Sequence, residues 1–447
     1  MKSDTSFFRN VCNLAIPVAL QSMLQSSFSL VDQIMIGQLG STSIAGVGFA
    51  GKFSSIFTVV VAAIGAVAGI MISQYMGQKN GKEVRRSFVL NLLIGLVLAL
   101  FFTVMCVAFP GQIMGLYTED SATRQAAAEY LVIIAATFLP VAGATMLSTL
   151  FRCMEKAALP LYASIAAAVI NTGLNYALIF GKFGFPAMGA RGVAVATVVA
   201  QLINFLIMFV VYFYCKKPFE GADRKAASVS GFGWGQYAAI LLPMLVCEFM
   251  WSLGENIYAV IYGHMGTDAS AAMTLINPVQ GLMIGALCGL SQAASVIIGK
   301  KLGVGDYEEA YQASRKLLYY GFAGSAILSV VILVLSPYYV NIFQVEEHVK
   351  MLTKQILFAY ALVAPFKVEN MILGGGILRS GGKTNYVMAI DLIGTWVLGV
   401  PLGLLAAFTL KLSIPYVYFI LSLEECIRLM ISYVVLRRRK WMVTFGE

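Results

Sequence analysis

Residues 243–266 read PMLVCEFMWSLGENIYAVIYGHMG, an apolar run long enough to cross a lipid bilayer as a helix. The run contains two glutamates, Glu248 and Glu255, which are seven residues apart. At about 100° per helical residue, both carboxylates lie on one face of the helix, with Trp251 between them. A carboxylate inside a membrane helix is costly unless it meets water or a partner, so both glutamates are candidate site residues.

A related pattern occurs earlier in the chain. Residues 17–40, PVALQSMLQSSFSLVDQIMIGQLG, carry the same proline, a serine and the paired glycines at an offset of 226 positions. The offset continues at Gly77 and Gly303, and again at Glu83 and Glu309. The chain is therefore predicted to consist of two repeated halves, with an N-terminal lobe at 1–215, a cytoplasmic linker at 216–235 and a C-terminal lobe at 236–447.

The composition is typical of a polytopic membrane protein. Of the 447 residues, 59% are hydrophobic and only 12% are charged, whereas a soluble protein has about 25% charged residues. We predict an all-α membrane protein with twelve transmembrane helices, at 11–36, 45–73, 87–109, 127–149, 159–180, 192–214, 236–263, 271–299, 316–336, 351–376, 386–409 and 415–435. Because six spans per lobe is an even number, a pseudo-twofold axis along the membrane normal is expected to relate the two six-helix lobes.

Lysine and arginine are distributed unevenly among the predicted loops. When the loops are assigned to alternate sides of the membrane, one side holds 22 basic residues and the other holds 6. Because basic residues mark the cytoplasmic side, both termini are predicted to be cytoplasmic. The same distribution accounts for the net charge of +9, so a nucleic-acid partner is not expected.

Neither a structural metal centre nor a catalytic centre is indicated. The seven cysteines form no CxxC pair, and the two histidines, His264 and His348, fall in predicted loops. No HExxH or GxSxG motif occurs, so an intramembrane enzyme is not expected. A helix face suited to close packing is indicated by three glycines spaced by four, Gly281, Gly285 and Gly289.

Polar residues in the predicted helices of the N-terminal lobe suggest an ion site. Asp32 lies fifteen residues after Pro17, a proline that is expected to bend the first helix. Asn171 and Asn175 are four residues apart and share a helix face. Together with Asp32 they offer the oxygen ligands that a hard cation prefers, although asparagines also join membrane helices by hydrogen bonds.

The repeat differs between the lobes at its acidic residues. The two glutamates of the opening stretch align with Ser22 and Ser29, whereas Asp32 aligns with Tyr258. Each lobe therefore carries acids where the other does not. We expect the two lobes to handle protons or cations differently.

The other charged residues of the C-terminal lobe have simpler interpretations. Glu424 and Arg428 are four residues apart and are expected to pair with each other. Lys367 and Glu369 lie on different helix faces, so each is expected to find a partner elsewhere. Asp391 is near the cytoplasmic end of its predicted helix, where partial solvation is the alternative to a role in a site.

Several motifs resemble those of the bacterial MATE (multidrug and toxic compound extrusion) transporters. The motifs are VDQIMIGQLG (31–40), LFRCMEKAALP (150–160), NTGLNYALIFG (171–181), GARGVAVAT (189–197), CEFMWSLG (247–254), ILRSGGKT (377–384) and DLIGTWVLGVPLG (391–403). The resemblance covers essentially the whole chain. The same superfamily includes the flippases for lipid-linked oligosaccharides.

The resemblance implies a transporter that exports amphipathic, often cationic organic compounds in exchange for Na⁺ or H⁺. In the N-terminal lobe it implies an ion-coupling site at Asp32, Asn171, Asn175 and Thr197. Many relatives carry an aspartate where this chain has Asn175, so this chain has one carboxylate fewer. In the C-terminal lobe the resemblance implies an acid of the seventh helix and one of the tenth, for which the candidates are Glu248 or Glu255, and Glu369.

An amphipathic substrate is expected to contact the C-terminal lobe. Trp251 and Tyr258 offer aromatic faces to a cation, and a glutamate supplies the countercharge. The further candidate residues of this lobe are Asp391, Asn277 and Gln280. The predicted partners are thus a drug-like small molecule and the lipid bilayer.

The remaining expectations follow from the same reasoning. We expect a monomer in the bacterial cytoplasmic (inner) membrane, with no cofactor besides the coupling ion, either Na⁺ or H⁺. The alternative function is a flippase for lipid-linked oligosaccharides. Flippase cavities are strongly cationic, whereas the predicted spans of this chain contain more acids than bases.

Overall fold

The computed structural model describes residues 2–39, 41–214, 234–343 and 345–444, and every regular element among them is helical. Residues 216–233, most of the predicted linker, lie outside the described part. The two histidines that were expected in loops lie instead at helix ends. His264 is the last residue of one helix, and His348 is the second residue of another.

Long helices account for most of the described chain. The helices are α1 (Lys2–Ile36), α2 (Ser41–Gly77), α3 (Gly81–Ala108), α4 (Pro110–Gly115), α5 (Ser121–Ile134), α6 (Phe138–Cys153), α7 (Ala158–Phe180), α8 (Ala190–Tyr214), α9 (Trp234–His264), α10 (Thr267–Val304), α11 (Tyr307–Asn341), α12 (Glu347–Ile372), α13 (Thr384–Leu392), α14 (Val400–Leu404) and α15 (Ile414–Arg438). Three π-helical segments continue or join the later helices, at Leu373–Leu378, Ile393–Gly399 and Leu405–Thr409.

Ten helical segments of the described part are long and apolar enough to cross a membrane. Large apolar side chains are exposed at helical spacing on α3 and α11, at Val97, Leu100, Phe101, Val104, Ile327, Val330, Val331 and Val334. Such a continuous apolar surface is stable against lipid rather than water. The protein is therefore a multi-pass helical membrane protein. Because α1 and α15 are not among the ten segments, the arrangement of twelve spans in two lobes stays a prediction.

The 226-residue offset of the sequence recurs in the helix boundaries. Helices α2 and α10 begin that far apart, and so do α3 and α11. The side chain preceding α3 and the one preceding α11 also act alike. Asn80 Oδ1 accepts a hydrogen bond of 3.3 Å from the Glu83 amide, and Asp306 Oδ1 accepts one of 2.9 Å from the Glu309 amide. Both side chains satisfy an amide that the first turn of a helix leaves unpaired.

The described residues divide into two compact units. The N-terminal unit comprises residues 20–214, and the C-terminal unit comprises residues 2–19 with 234–444. The predicted lobe bounds of 1–215 and 236–447 stay predictions.

Aromatic side chains form the centre of the N-terminal unit. The ring of Phe57 on α2 lies 4.3 Å from that of Phe138 on α6 and 5.6 Å from that of Phe102 on α3, measured between ring centroids. Packing of this kind fixes α2, α3 and α6 together. Helices α7 and α8 pack along each other beside this core, which brings their polar side chains face to face.

In the C-terminal unit α12 packs against α10, α11 and α15, while α9 packs against α13. Glycines permit the closest contacts. Gly394 lies against Arg428, and Gly399 lies against Tyr258 and Glu424. A methyl group at either glycine would overlap these side chains, so the glycines make room for charged and polar groups between α15 and its neighbours.

The predicted glycine face of α10 makes a close contact at Gly289. Gly289 lies directly against the carbonyl group of Ala15 on α1, both within the C-terminal unit. At Gly281, no atom of another described element lies within 4 Å of the position that a Cβ would take, so the prediction was wrong there.

Replacing Gly289 with alanine is expected to destabilise the protein, because the new methyl group would overlap the backbone of Ala15. Overpacking of this kind costs about 1–3 kcal/mol. The measurement is the thermal midpoint of the detergent-solubilised protein. Gly281→Ala on the same helix is the matched control, and its midpoint should not fall because alanine also favours the helix. Equal midpoints for the two variants would contradict the assigned contact.

Candidate functional site

Four polar side chains meet within the N-terminal unit. We call this group, made of Asp32, Asn171, Asn175 and Thr197, the oxygen cluster. It draws on α1, α7 and α8, and the two asparagines share a face because they are one helical turn apart. Asn175 Nδ2 donates a hydrogen bond of 2.6 Å to Asp32 Oδ1. The sequence-predicted members of this group thus lie together in the structure.

The amide of Asn171 fits the oxygen cluster in two orientations. In one, its oxygen accepts a hydrogen bond from Asn175 Nδ2 at 3.2 Å, and its nitrogen donates to Thr197 Oγ1 at 3.4 Å. That orientation leaves the Asn171 oxygen 3.0 Å from Asp32 Oδ1, an arrangement that a shared proton or a bound cation stabilises. In the other, the nitrogen takes that place and donates to the carboxylate.

A cavity of about 190 Å³ adjoins the oxygen cluster. Its polar lining residues include Asp32, Ser164, Asn171, Thr197, Gln201 and Asn204. Asn175 is fully buried, and its Oδ1 has no hydrogen-bond partner among the described residues. The cluster therefore combines one carboxylate, several neutral oxygens and space beside them, which suits a proton or a small hard cation.

Pro17, predicted to bend the first helix, lies inside α1. The helix continues unbroken from Lys2 to Ile36. The bend itself stays a prediction.

The C-terminal unit contains two polar cavities, which we call cavity A and cavity B. Cavity A has a volume of about 240 Å³, and its charged lining residues are Glu255, Lys367, Glu424 and Glu425. Four tyrosines also line it, namely Tyr258, Tyr262, Tyr360 and Tyr418. The predicted contact residues Asn277 and Gln280 lie in the same lining, and Gln280 Nε2 donates a hydrogen bond of 2.9 Å to the Tyr418 hydroxyl.

Cavity B has a volume of about 320 Å³ and shares Lys367 and Glu425 with cavity A. Its other charged lining residues are Glu248, Arg379, Asp391 and Arg428. Trp251, a predicted substrate contact, also lines cavity B. The two glutamates of residues 243–266 therefore line different cavities, although they lie on one helix.

Glu248 in cavity B already has a cationic partner. Arg379 donates from Nη1 to Glu248 Oε1 at 2.8 Å. A partly buried pair with direct contact neutralises both charges locally. Glu255 in cavity A forms no ion pair or hydrogen bond with any described residue, so its charge remains available within the cavity.

The guanidinium of Arg428 on α15 lies close to three carboxylates. It lies 3.7 Å from Glu424, 3.7 Å from Glu425 and 3.8 Å from Asp391, and it also donates to the Thr395 hydroxyl. The expected pairing of Glu424 with Arg428 is thus one contact of a larger network. Asp391 is not merely solvated, because it also accepts a hydrogen bond of 2.8 Å from the Cys247 thiol.

Glu369 lies apart from the other predicted acids. It is buried against Gly321 of α11 and lines neither cavity A nor cavity B. Its Oε1 has no hydrogen-bond partner among the described residues. The structure therefore does not bring Glu369 together with Glu255 or Glu248.

Sequence reasoning did not predict five charged members of these cavities, namely Lys367, Arg379, Glu424, Glu425 and Arg428. The sequence analysis gave Arg379 no role in a site, yet it lies just after the π-helical segment that continues α12 and reaches Glu248. Lys367 and Glu425 line both cavities. A signal was available for Glu425, which directly follows Glu424, but none identified which helix face Lys367 occupies.

Comparisons with known proteins assign the chain to a family. The MatE family model matches residues 17–177 and again residues 243–405, and the two matches begin 226 residues apart. The chain is 22% identical to the uncharacterized transporter YisQ of Bacillus subtilis, over 98% of this chain and 96% of that protein. It is 25% identical to the probable multidrug resistance protein NorM of Thermotoga maritima, over 88% of this chain and 84% of that protein.

A solved structure shares the fold. A mutant of the Vibrio cholerae MATE transporter VcmN superposes with a TM-score of 0.88 at 17% identity, covering 99% of this chain and all of that one. Because the two matches of the family model together span most of the sequence, this chain belongs to the MatE family of membrane transporters and is not an enzyme.

Proposed function

We propose that this protein is a cation-coupled antiporter that exports amphipathic, often cationic organic compounds in exchange for Na⁺ or H⁺. The observation that carries the proposal is the oxygen cluster, in which one carboxylate, Asp32, meets amide and hydroxyl oxygens beside a cavity. Among the described residues Asp32 is the one charged residue that lines this cavity, so a proton or a hard cation can serve as its countercharge. Curated relatives named as multidrug resistance proteins are consistent with this proposal.

The coupling follows from differential binding. A proton or Na⁺ at Asp32 changes the hydrogen bonds among α1, α7 and α8, because the carboxylate then donates or coordinates instead of accepting from Asn175. A ligand shifts a conformational equilibrium only by its difference in affinity for the two states. Ion binding that favours one orientation of the helices would thus drive alternating access.

We assign the organic substrate to the C-terminal unit, and within it to cavity A. Its four tyrosines supply aromatic faces for a cation, and its three lining glutamates, Glu255, Glu424 and Glu425, outnumber the one lining lysine, Lys367. Asn277 and Gln280 add polar contacts. Trp251 lines cavity B, where Glu248 is already paired with Arg379, so that cavity is the weaker candidate for a cationic substrate.

The proposal includes a topology and a location. Twelve spans in two lobes, with both termini in the cytoplasm, agree with the distribution of basic residues in the sequence. The expected location is the bacterial cytoplasmic membrane, and the expected state is a monomer. The relatives named as multidrug resistance proteins do not favour the alternative function as a flippase.

Asp32→Asn is expected to abolish coupled efflux, because an amide cannot take up the proton or supply the charge that binds Na⁺. The efflux rate should therefore fall to that of vesicles that lack the protein. The measurement is ethidium uptake into everted vesicles, which is the direction of export there, either with a Na⁺ gradient or with a proton gradient that nigericin collapses. The gradient whose removal stops efflux identifies the coupling ion.

The matched control is Asp120→Asn, the same chemical change outside the oxygen cluster. Asp120 is the N-cap residue of α5 and accepts a hydrogen bond of 2.9 Å from the Thr123 amide. Asparagine is an equally good N-cap residue. The control should retain wild-type efflux. Efflux that survives Asp32→Asn, or that needs neither gradient, would contradict the proposed function.

The two glutamates of α9 are expected to respond differently to the same substitution. Glu255→Gln should weaken efflux of a cationic dye several-fold without lowering the thermal midpoint, because Glu255 forms no ion pair or hydrogen bond with a described residue. Glu248→Gln should lower the midpoint, because it leaves the Arg379 guanidinium without its carboxylate, at a cost of about 1–3 kcal/mol.

Efflux rates and thermal midpoints of the two purified variants are compared with those of the wild type. A loss of stability in Glu255→Gln, or an unchanged midpoint in Glu248→Gln, would show that the roles are not divided in this way. An unchanged efflux rate in Glu255→Gln would remove cavity A as the substrate site.

A further inference from the structure

The carboxylates of cavity A are unequally satisfied. Glu424 accepts a hydrogen bond of 2.7 Å from the Tyr258 hydroxyl, and Glu425 accepts one of 2.9 Å from Asn370 Nδ2. Both also approach Arg428 at 3.7 Å, but that guanidinium is shared with Asp391. Glu255 forms no ion pair or hydrogen bond with any described residue. The shared guanidinium of Arg428 is therefore outnumbered by the carboxylates around cavity A.

Lys367 is the remaining cation of this region. It lines cavity A together with the three glutamates, yet it forms no ion pair or hydrogen bond with any described residue. It also lines cavity B. An ammonium on a flexible four-carbon stem moves readily within such a space. Lys367 is thus held near several carboxylates without being fixed to one of them.

We infer that the Lys367 ammonium is the resident cation of cavity A, occupying the role that an inorganic cation would otherwise fill and excluding Na⁺ from that cavity. The surrounding atoms support this role. Carboxylate, amide and phenol oxygens around a space of about 240 Å³ are the ligands that a hard cation uses. Without the ammonium, the three lining carboxylates would have only the Arg428 guanidinium nearby, and Asp391 shares that guanidinium.

Removal of the ammonium should therefore open a new cation site in cavity A. This inference does not depend on the proposed efflux activity, because cation binding to the purified protein tests it. It also separates the two units: Na⁺ binding at the oxygen cluster needs Asp32, whereas Na⁺ binding in cavity A needs the loss of Lys367.

The experiment uses full-length protein that carries Asp32→Asn, so that the oxygen cluster contributes no Na⁺ binding. Thermal midpoints are measured in NaCl and in N-methylglucamine chloride at equal ionic strength and pH. Adding Lys367→Met should make the midpoint depend on Na⁺, rising by about 3–5 °C when Na⁺ is far above its dissociation constant. Lys354→Met, the same change elsewhere on α12, is the control and should leave the midpoint independent of Na⁺.

Further variants distinguish a cation site from a general effect of salt. Lys367→Arg keeps the positive charge and should remain independent of Na⁺. Adding Glu255→Gln to Lys367→Met should raise the Na⁺ concentration required at least about tenfold, since the site loses its unpaired carboxylate. If Lys367→Met yields no folded protein, Lys367→Gln is measured in the same way.

Two results would overturn the inference. One is a midpoint that ignores Na⁺ in both neutral variants, Lys367→Met and Lys367→Gln. The other is a Na⁺-dependent shift of equal size in Asp32→Asn alone or in the Lys354→Met control. Loss of efflux is not part of this readout, so a failure of the antiport proposal in the vesicle assay remains a separate result.

Discussion

The contact of Arg428 with three carboxylates is the interaction on which the C-terminal unit depends. A charge in the low-dielectric interior of a membrane protein is costly unless it is paired and hydrogen-bonded. Glu424 links this contact to α9 through Tyr258, and Glu425 links it to α12 through Asn370. Asp391 extends it to the Cys247 thiol. A single guanidinium thus joins α9, α12, α13 and α15. Gly394, in the π-helical segment Ile393–Gly399, leaves space for the Arg428 side chain.

The two units use similar helices for different chemistry. Equivalent helices begin at the same 226-residue offset and carry equivalent capping side chains. The N-terminal unit nevertheless surrounds a single carboxylate with neutral amides and a hydroxyl, so its charge depends on what binds there. The C-terminal unit surrounds several carboxylates with its own cations. Duplication therefore supplied the scaffold, and substitution at a few polar positions separated the chemistry of the halves.

The sequence predicts which nearby residues share a helix face, but it does not predict contacts between residues that are far apart along the chain. Helical spacing places Asn171 and Asn175 on one face, and the hydropathy of long apolar runs predicts a membrane fold. Neither predicts that Glu248 meets Arg379, because the two are 131 positions apart and that contact depends on tertiary packing. In helices that are apolar all round, the pattern does not reveal which side faces a cavity. For that reason the sequence does not predict that Lys367 lines both cavities or that Glu369 lines neither.

The π-helical segments of the C-terminal unit have a consequence for how it rearranges. A π turn holds one residue more than an α turn, and no described residue of the N-terminal unit is π-helical. Exchange between π and α geometry slips the chain by one residue and rotates the side chains beyond it by about 100°. The segment Ile393–Gly399 begins two residues after Asp391 and ends at Gly399, the glycine that touches Glu424. A carboxylate on one side of that segment can therefore turn relative to the other side without any helix unfolding.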